Sequence, residues 1–276
     1  MKLKFLGTAA AEGAPALFCD CDYCEQARKL GGKNIRTRSQ SVINDELLID
    51  FPADTYLHVL HHGLPLHKIY HCLITHGHQD HFYMPELFMR RNGFAHLKDD
   101  RPFQVYGSSV VYGQLAENKT VQEMVENHQL VIHEVTPYVP FEVAGYTVTA
   151  LEADHDLTAG PVIYLIEKDG KTLLYAHDTG YFPDSAWEWL EKHQPKLDCV
   201  TFDDCYVLAD ASRGHMGFPT ILKVKERMAE MGLLTEDTVY VVNHFSHNKL
   251  LLHEEIEKAV APEGFKVSYD GLEVEF

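Results

Sequence analysis

The run His76-Gly77-His78-Gln79-Asp80-His81 sets the tightest limit on how this chain can fold. It packs four metal-capable side chains into six residues, too close for one helix face but suited to a loop wrapped around cations. The compact apolar segment Ile69 to Thr75 runs straight into it and reads as a strand, which places the cluster at a strand end. Histidine-rich loops also occur as surface decoration. That reading is disfavoured because His155 (in Ala153-Asp154-His155-Asp156), Asp178 (in His177-Asp178-Thr179-Gly180) and His244 (in Val241-Val242-Asn243-His244) also each close an apolar strand. Imidazoles with a carboxylate suit Zn, Mn or Fe.

The surrounding pattern is strand-rich. Lys2 to Leu6, Ser41 to Ile43, Leu47 to Phe51, Phe103 to Tyr106, Leu130 to Val135, Tyr146 to Leu151, Val162 to Glu167, Thr172 to Tyr175, Thr238 to Val242 and Lys266 to Tyr269 read as strands between turn-forming residues. Helical spacing of apolar positions marks Asp184 to Lys192, Pro219 to Met231 and His253 to Val260. Cys24 to Leu30, Asp54 to His62 and Pro85 to Arg91 add shorter helices. Two strand-rich halves with interspersed helices predict an α/β, four-layered αββα sandwich. No internal repeat or linker-like tract interrupts residues 1–276, so one domain is the simplest expectation.

Composition narrows the partners. With 24 Lys+Arg against 41 Asp+Glu the net charge is 24 − 41 = −17, which excludes a generic polyanion binder; no nucleic acid is expected as a partner. The absence of a run of about 18 apolar residues argues against a membrane span, and the expected location is cytoplasmic. In that compartment six cysteines do not form a disulfide framework. Cys19-x-Cys21-x-x-Cys24 supplies three thiolates, one short of a closed tetrahedral site. A redox group or plain loop residues are the competing readings. Cys72, Cys199 and Cys205 lie in apolar contexts and read as buried packing residues.

Together the His76–His81 loop, His155, Asp178 and His244 resemble the metallo-β-lactamase superfamily over essentially the whole chain. The resemblance implies an αββα fold with the site at its edge. It also implies one metal on His76, His78 and His155, a second on Asp80, His81 and His244, and Asp178 as the bridge. Two divalent cations about 3.5–4 Å apart share a water, lower its pKa and stabilise both oxygens of a displacement. Seven such ligands carry −2 against +4, so the site stays cationic and attracts a small anionic substrate.

The cysteine loop is similar to that of the subgroup holding the phosphodiesterase of phosphonate degradation (PhnP) and the pyrroloquinoline quinone accessory protein. This implies His247 as the fourth ligand of a structural Zn held with Cys19, Cys21 and Cys24. Phosphodiesterase members also have a histidine resembling His215 in Ser212-Arg213-Gly214-His215, partnered by an acid resembling Asp203. His215 is then the general acid or phosphate contact and Asp203 its orienting partner, with Asp204 competing for that role and His215 as a helix cap the bland alternative. Asp50 is expected to accept a hydrogen bond from a ligand histidine; His177 has no firm role. The implied activity is metal-dependent hydrolysis of small, even cyclic ribose, phosphodiesters, with Mn or Zn, or Fe, in the dinuclear site. An accessory protein of the quinone type and a tRNA-processing nuclease are the alternatives. Oligomeric state is left open, a homodimer among the options.

Overall fold

The apolar segments pair into two sheets in the computed structural model of this chain, which describes residues 1–249 and 251–276. The first contains β1 (Lys2–Gly7), β2 (Gln40–Ile43), β3 (Leu47–Ile49), β4 (His71–Leu73), β5 (Phe103–Gly107) and β6 (Leu130–Glu134). The second contains β7 (Phe141–Val143), β8 (Tyr146–Glu152), β9 (Val162–Lys168), β10 (Lys171–Ala176), β11 (Leu197–Asp203), β12 (Leu234–Asn243) and β13 (Phe265–Val267). A last strand, β14 (Glu273–Glu275), returns to the first sheet beside β1, giving the orders β14-β1-β2-β3-β4-β5-β6 and β13-β12-β11-β10-β9-β8-β7.

The layers follow from which faces are apolar. Between the sheets, Leu3, Phe5, Ile49 and Leu73 of the first meet Tyr146, Tyr164, Tyr175 and Val241 of the second. Helices α3 (Ser109–Ala116) and α4 (Lys119–Glu126) cover the outer face of the first sheet through Val111, Leu115, Val121 and Met124. On the other side α5 (Asp184–His193), α6 (Phe218–Glu230) and α7 (His253–Val260) bring Trp187, Leu190, Ile221, Val224 and Ile256 onto the second sheet. For each of these larger aliphatic side chains, full burial stabilises the fold by about 1.5–3 kcal/mol relative to exposure. The result is the expected αββα sandwich. Here the helices are numbered in chain order after α1 (Asp22–Leu30) and α2 (Thr55–His62).

Three local differences from the sequence reading have physical causes. The segment expected as an α-helix over Pro85 to Arg91 is a 3-10 helix, Met84–Arg90, whose last turn closes through Arg91 N–H to Phe88 O. Leu87 is its buried residue and Arg90 is tied to Gln129 O, so tertiary anchors hold the tighter winding. Helices α3 and α4 were not foreseen, although α4 carries a signal: Asn118 Oδ1 accepts from the N–H groups of Thr120 and Val121 as an N-cap. Cys72 and Cys199 pack in the interior as expected, whereas Cys205, though buried, lies on the wall of the cleft described below.

Strands β3 to β6 run parallel to one another, as do β10 to β13. The residues that follow β3, β10 and β12 break from the extended conformation with positive φ: Asp50 at 67°, Asp178 at 51° and His244 at 64°. Non-glycine residues take this conformation at a cost of order 1–3 kcal/mol, so the surrounding structure must hold them there. Each such turn lifts a side chain off its sheet and aims it at the same edge of the sandwich.

Candidate metal centre and active site

At that edge, donors from four separated stretches converge. The loop after β4 contributes His76, His78, Asp80 and His81; His155 follows β8, Asp178 follows β10 and His244 follows β12. Their donor atoms form overlapping groups, His76–His78–His155, His76–His81–Asp178 and Asp80–His81–His244, each with all donors within 4.8 Å of one another.

Ring nitrogens face ring nitrogens. His76 Nε2 lies 3.0 Å from His78 Nδ1, which lies 3.2 Å from His155 Nε2, and His81 Nε2 lies 3.2 Å from His244 Nε2. Lone pairs at this separation repel unless a proton or a cation lies between them. Asp178 joins the two halves: Oδ1 is 3.7 Å from His155 Nε2, while Oδ2 is 2.9 Å from His81 Nε2 and 3.1 Å from His244 Nε2. Despite these short distances Oδ2 is buried with no hydrogen bond of acceptable angle among the described residues. A buried carboxylate oxygen without a hydrogen bond, aimed at imidazole nitrogens, fits a divalent cation.

The far side of four of the five rings is held, while His244 Nδ1 is buried without a hydrogen bond among the described residues. His81 Nδ1 lies 2.7 Å from Asp50 Oδ2, as expected, and Asp50 Oδ1 accepts from the N–H and hydroxyl of Thr75 at 2.8 and 2.9 Å. His76 Nδ1 is 3.1 Å from Thr75 Oγ1, His155 Nδ1 is 2.9 Å from Gly214 O, and His78 Nε2 is 3.2 Å from Asp156 Oδ2. Such outer contacts fix tautomer and orientation. Burial, the largest influence, holds His76 and His244 below the usual histidine range and therefore neutral, the state a metal requires. For His81 burial also opposes charge, but Asp178, Asp50 and Asp80 outweigh it and raise its pKa well above the ordinary value. A bound cation would take the place of that proton.

The second expected group also assembles. Cys19, Cys21, Cys24 and His247 bring four donor atoms within 4.8 Å of one another, and His247 Nδ1 lies 3.6 Å from Cys24 Sγ and 4.0 Å from Cys21 Sγ. Contacts to Cys24, His247 and Cys19 lower the Cys21 thiol to about 6, whereas burial pushes Cys24 up to about 11. Three sulfurs and one imidazole are the donor set of a closed tetrahedral Zn site.

A cleft of about 290 Å³ opens over His78, Asp80, His155 and Asp178. His215 is on its wall, with Nδ1 2.8 Å from Oδ2 of the wholly buried Asp203. Asp203, not Asp204, is therefore the partner. Burial opposes a charged His215, but Asp203 outweighs it by charge and hydrogen bond and raises the imidazole to about 9. His177 is buried behind the site, its Nδ1 3.2 Å from Asn243 Nδ2 and its ring packed on Tyr175.

A model of the beta-lactamase superfamily domain matches residues 50–245, the stretch that carries the donors clustered at the sandwich edge. The chain belongs to the metallo-β-lactamase superfamily. Superfamily members are generally metal-dependent hydrolases. Coenzyme PQQ synthesis protein B of Klebsiella pneumoniae is 24% identical over 318 residues, covering 99% of this chain and 98% of that protein. Two solved structures share the fold. A diphosphatase from the PhnP family aligns with TM-score 0.70 and 22% identity, covering 100% of this chain and 96% of that one. Zn-bound PqqB from Methylobacterium extorquens aligns with TM-score 0.71 and 20% identity over 100% of both chains.

Sequence reasoning missed the rest of the cleft. Glu12, Tyr206, Ser246 and Asn248 line it beside the donors, and Asp154 ties the His215 loop in place by accepting from Gly214 N–H at 3.1 Å and from Arg213 at 3.0 Å. Only Asn248 and Ser246 had a local hint, as neighbours of His247; the others are brought in by chain topology. No described helix is long and apolar enough to cross a membrane.

Proposed function

We propose that the protein is a metal-dependent phosphodiesterase of small substrates. Its cleft would hold one divalent cation on His76, His78 and His155 and a second on Asp80, His81 and His244, with Asp178 between them. Cys19, Cys21, Cys24 and His247 would hold a structural Zn. Bound cations supply Lewis-acid stabilisation of the phosphoryl oxygens and an acidified water; Mn, Zn and Fe all suit the donors.

The observation that carries this reading is the His215–Asp203 pair facing the same cleft as Asp178. A phosphodiester has a leaving alcohol that needs a proton, and Asp203 favours the protonated form of His215 and orients its ring to give one from Nε2. Asp50 and Thr75 hold His81 and His76 in register, so the donors are organised before substrate arrives. A small anionic diester suits a cationic centre in a chain of net charge −17 better than a long nucleic acid does.

Hydrolysis of bis(4-nitrophenyl) phosphate with added Mn or Zn tests the reading. Turnover is expected, with loss in Asp80→Ala. His215→Ala should slow esters of alkyl alcohols far more than nitrophenyl esters, whose leaving group needs no proton. No turnover with any cation, together with retained binding of a small molecule, would favour the second reading. In it the protein is a non-catalytic accessory factor, a reading that the similarity to a coenzyme PQQ synthesis protein supports.

A further inference from the structure

Glu12 lines the same cleft as His78, Asp80, His155 and Asp178, with its side chain 29% exposed. Its Oε1 accepts from Ser246 Oγ and, at 3.1 Å, from Asn248 Nδ2. Those contacts converge on one oxygen and leave Oε2 without a hydrogen bond among the described residues. His247 Nε2 lies 3.7 Å from the same Oε1, while its Nδ1 faces Cys21 and Cys24. One imidazole therefore connects the cysteine group to Glu12. The short stretch from His244 to Asn248 serves the metal centre, the cysteine group and the cleft wall in turn.

Besides the donors His78, His155, Asp80 and Asp178, the cleft is lined by Glu12 and His215, and no Lys or Arg is among the described residues that line it. A phosphate is drawn to a cationic centre and repelled by Glu12, while a neutral alcohol with a hydroxyl can donate to the free oxygen. We propose that Glu12 is a specificity-determining residue that selects singly charged diesters carrying a hydroxylated arm. The inference rests on the phosphodiesterase reading and deepens it. It disfavours substrates with a second phosphate on that arm, because such an anion would meet the Glu12 carboxylate with no Lys or Arg among the described lining residues.

The test compares nitrophenyl phosphodiesters of glycerol and of propanol, equal in charge and leaving group. A hydrogen bond to a charged acceptor contributes roughly 1.5–3 kcal/mol, so kcat/KM should favour the glyceryl ester by about tenfold or more. Glu12→Gln should collapse that ratio to within about twofold, whereas a residue that merely buttresses the loop would change both esters alike. Glu12→Lys should shift preference toward an ester bearing a second phosphate. Calorimetry on the metal-loaded parent with the glyceryl and propyl esters of 4-nitrobenzylphosphonate, whose P–C bond replaces the scissile ester, reads the same ratio in Kd without turnover. Equal kcat/KM and Kd for the two esters in the parent cleft, or a ratio that survives Glu12→Gln, overturns the role of Glu12. Absence of bis(4-nitrophenyl) phosphate hydrolysis overturns the phosphodiesterase reading instead.

Discussion

Asp203 Oδ2 sits 2.8 Å from His215 Nδ1 and 3.6 Å from His244 Nδ1, so one buried carboxylate faces both the cleft-wall histidine and a histidine of the donor cluster. The rings of His215 and His244 stack at 15° with centroids 5.5 Å apart. The proposed proton transfer at the wall and cation binding at the floor would thereby be tied to one side chain.

The first consequence is a pH dependence. In the metal-free protein burial disfavours the imidazolium of His215, yet Asp203 prevails and raises it from 6.5 to about 9. Since the folded value exceeds the unfolded one, the pair's stabilisation is complete below pH 6.5 and is lost as pH rises through about 9. NMR titration of the ring should show a midpoint near 9. Asp203→Asn should lower it by about one to three pH units, and an unchanged midpoint would remove Asp203 as the cause. Loading the cleft with divalent cations should also lower it, because like charges repel.

A second consequence concerns Gly180. A Cβ at this position would lie 2.4 Å from both Asp154 Oδ2 and Ser212 O, and both belong to the clamp on the His215 loop. Gly180→Ala must displace that loop, and misplacement by about 1 Å costs roughly a hundredfold in rate. The expected result is a kcat reduced by that order for alkyl diesters, with the metal content of the cleft kept. A kcat equal to that of the parent would show that the loop yields without moving His215.

The cysteine group makes a third. Cys24 is fully buried, and His247 lies three residues beyond His244 on the same short stretch. Cys24→Ser should lose one zinc per chain by elemental analysis and lower Tm. It should also weaken cation affinity at the cleft by about 10–100-fold, since the stretch presenting His244 loses its brace. Cleft affinity that survives the loss of that zinc would confine the group to a local structural role.

Much of the site was legible because its chemistry is written in adjacent residues. His76, His78, Asp80 and His81 announce themselves by density, and His155, Asp178 and His244 by closing apolar strands. Asp50 could be assigned to a ligand histidine because it too ends such a strand. Helices α3 and α4 were not legible in the same way: they lie in a segment read as part of a strand-rich middle, where the N-cap at Asn118 was the one strong local marker.

The sequence by itself determined the donor types, the strand-end loops that carry them and the layered architecture, because periodicity and ligand chemistry are local properties of the chain. Tertiary structure decided which acid serves His215, since Asp203 and Asp204 are neighbours and only Asp203, the last residue of β11, has its carboxylate against the imidazole. It also decided that Glu12 and Cys205 share the cleft wall, residues 193 positions apart that no spacing rule connects. Contacts of that kind depend on how two sheets pack face to face, and packing is a property of the whole chain rather than of any segment.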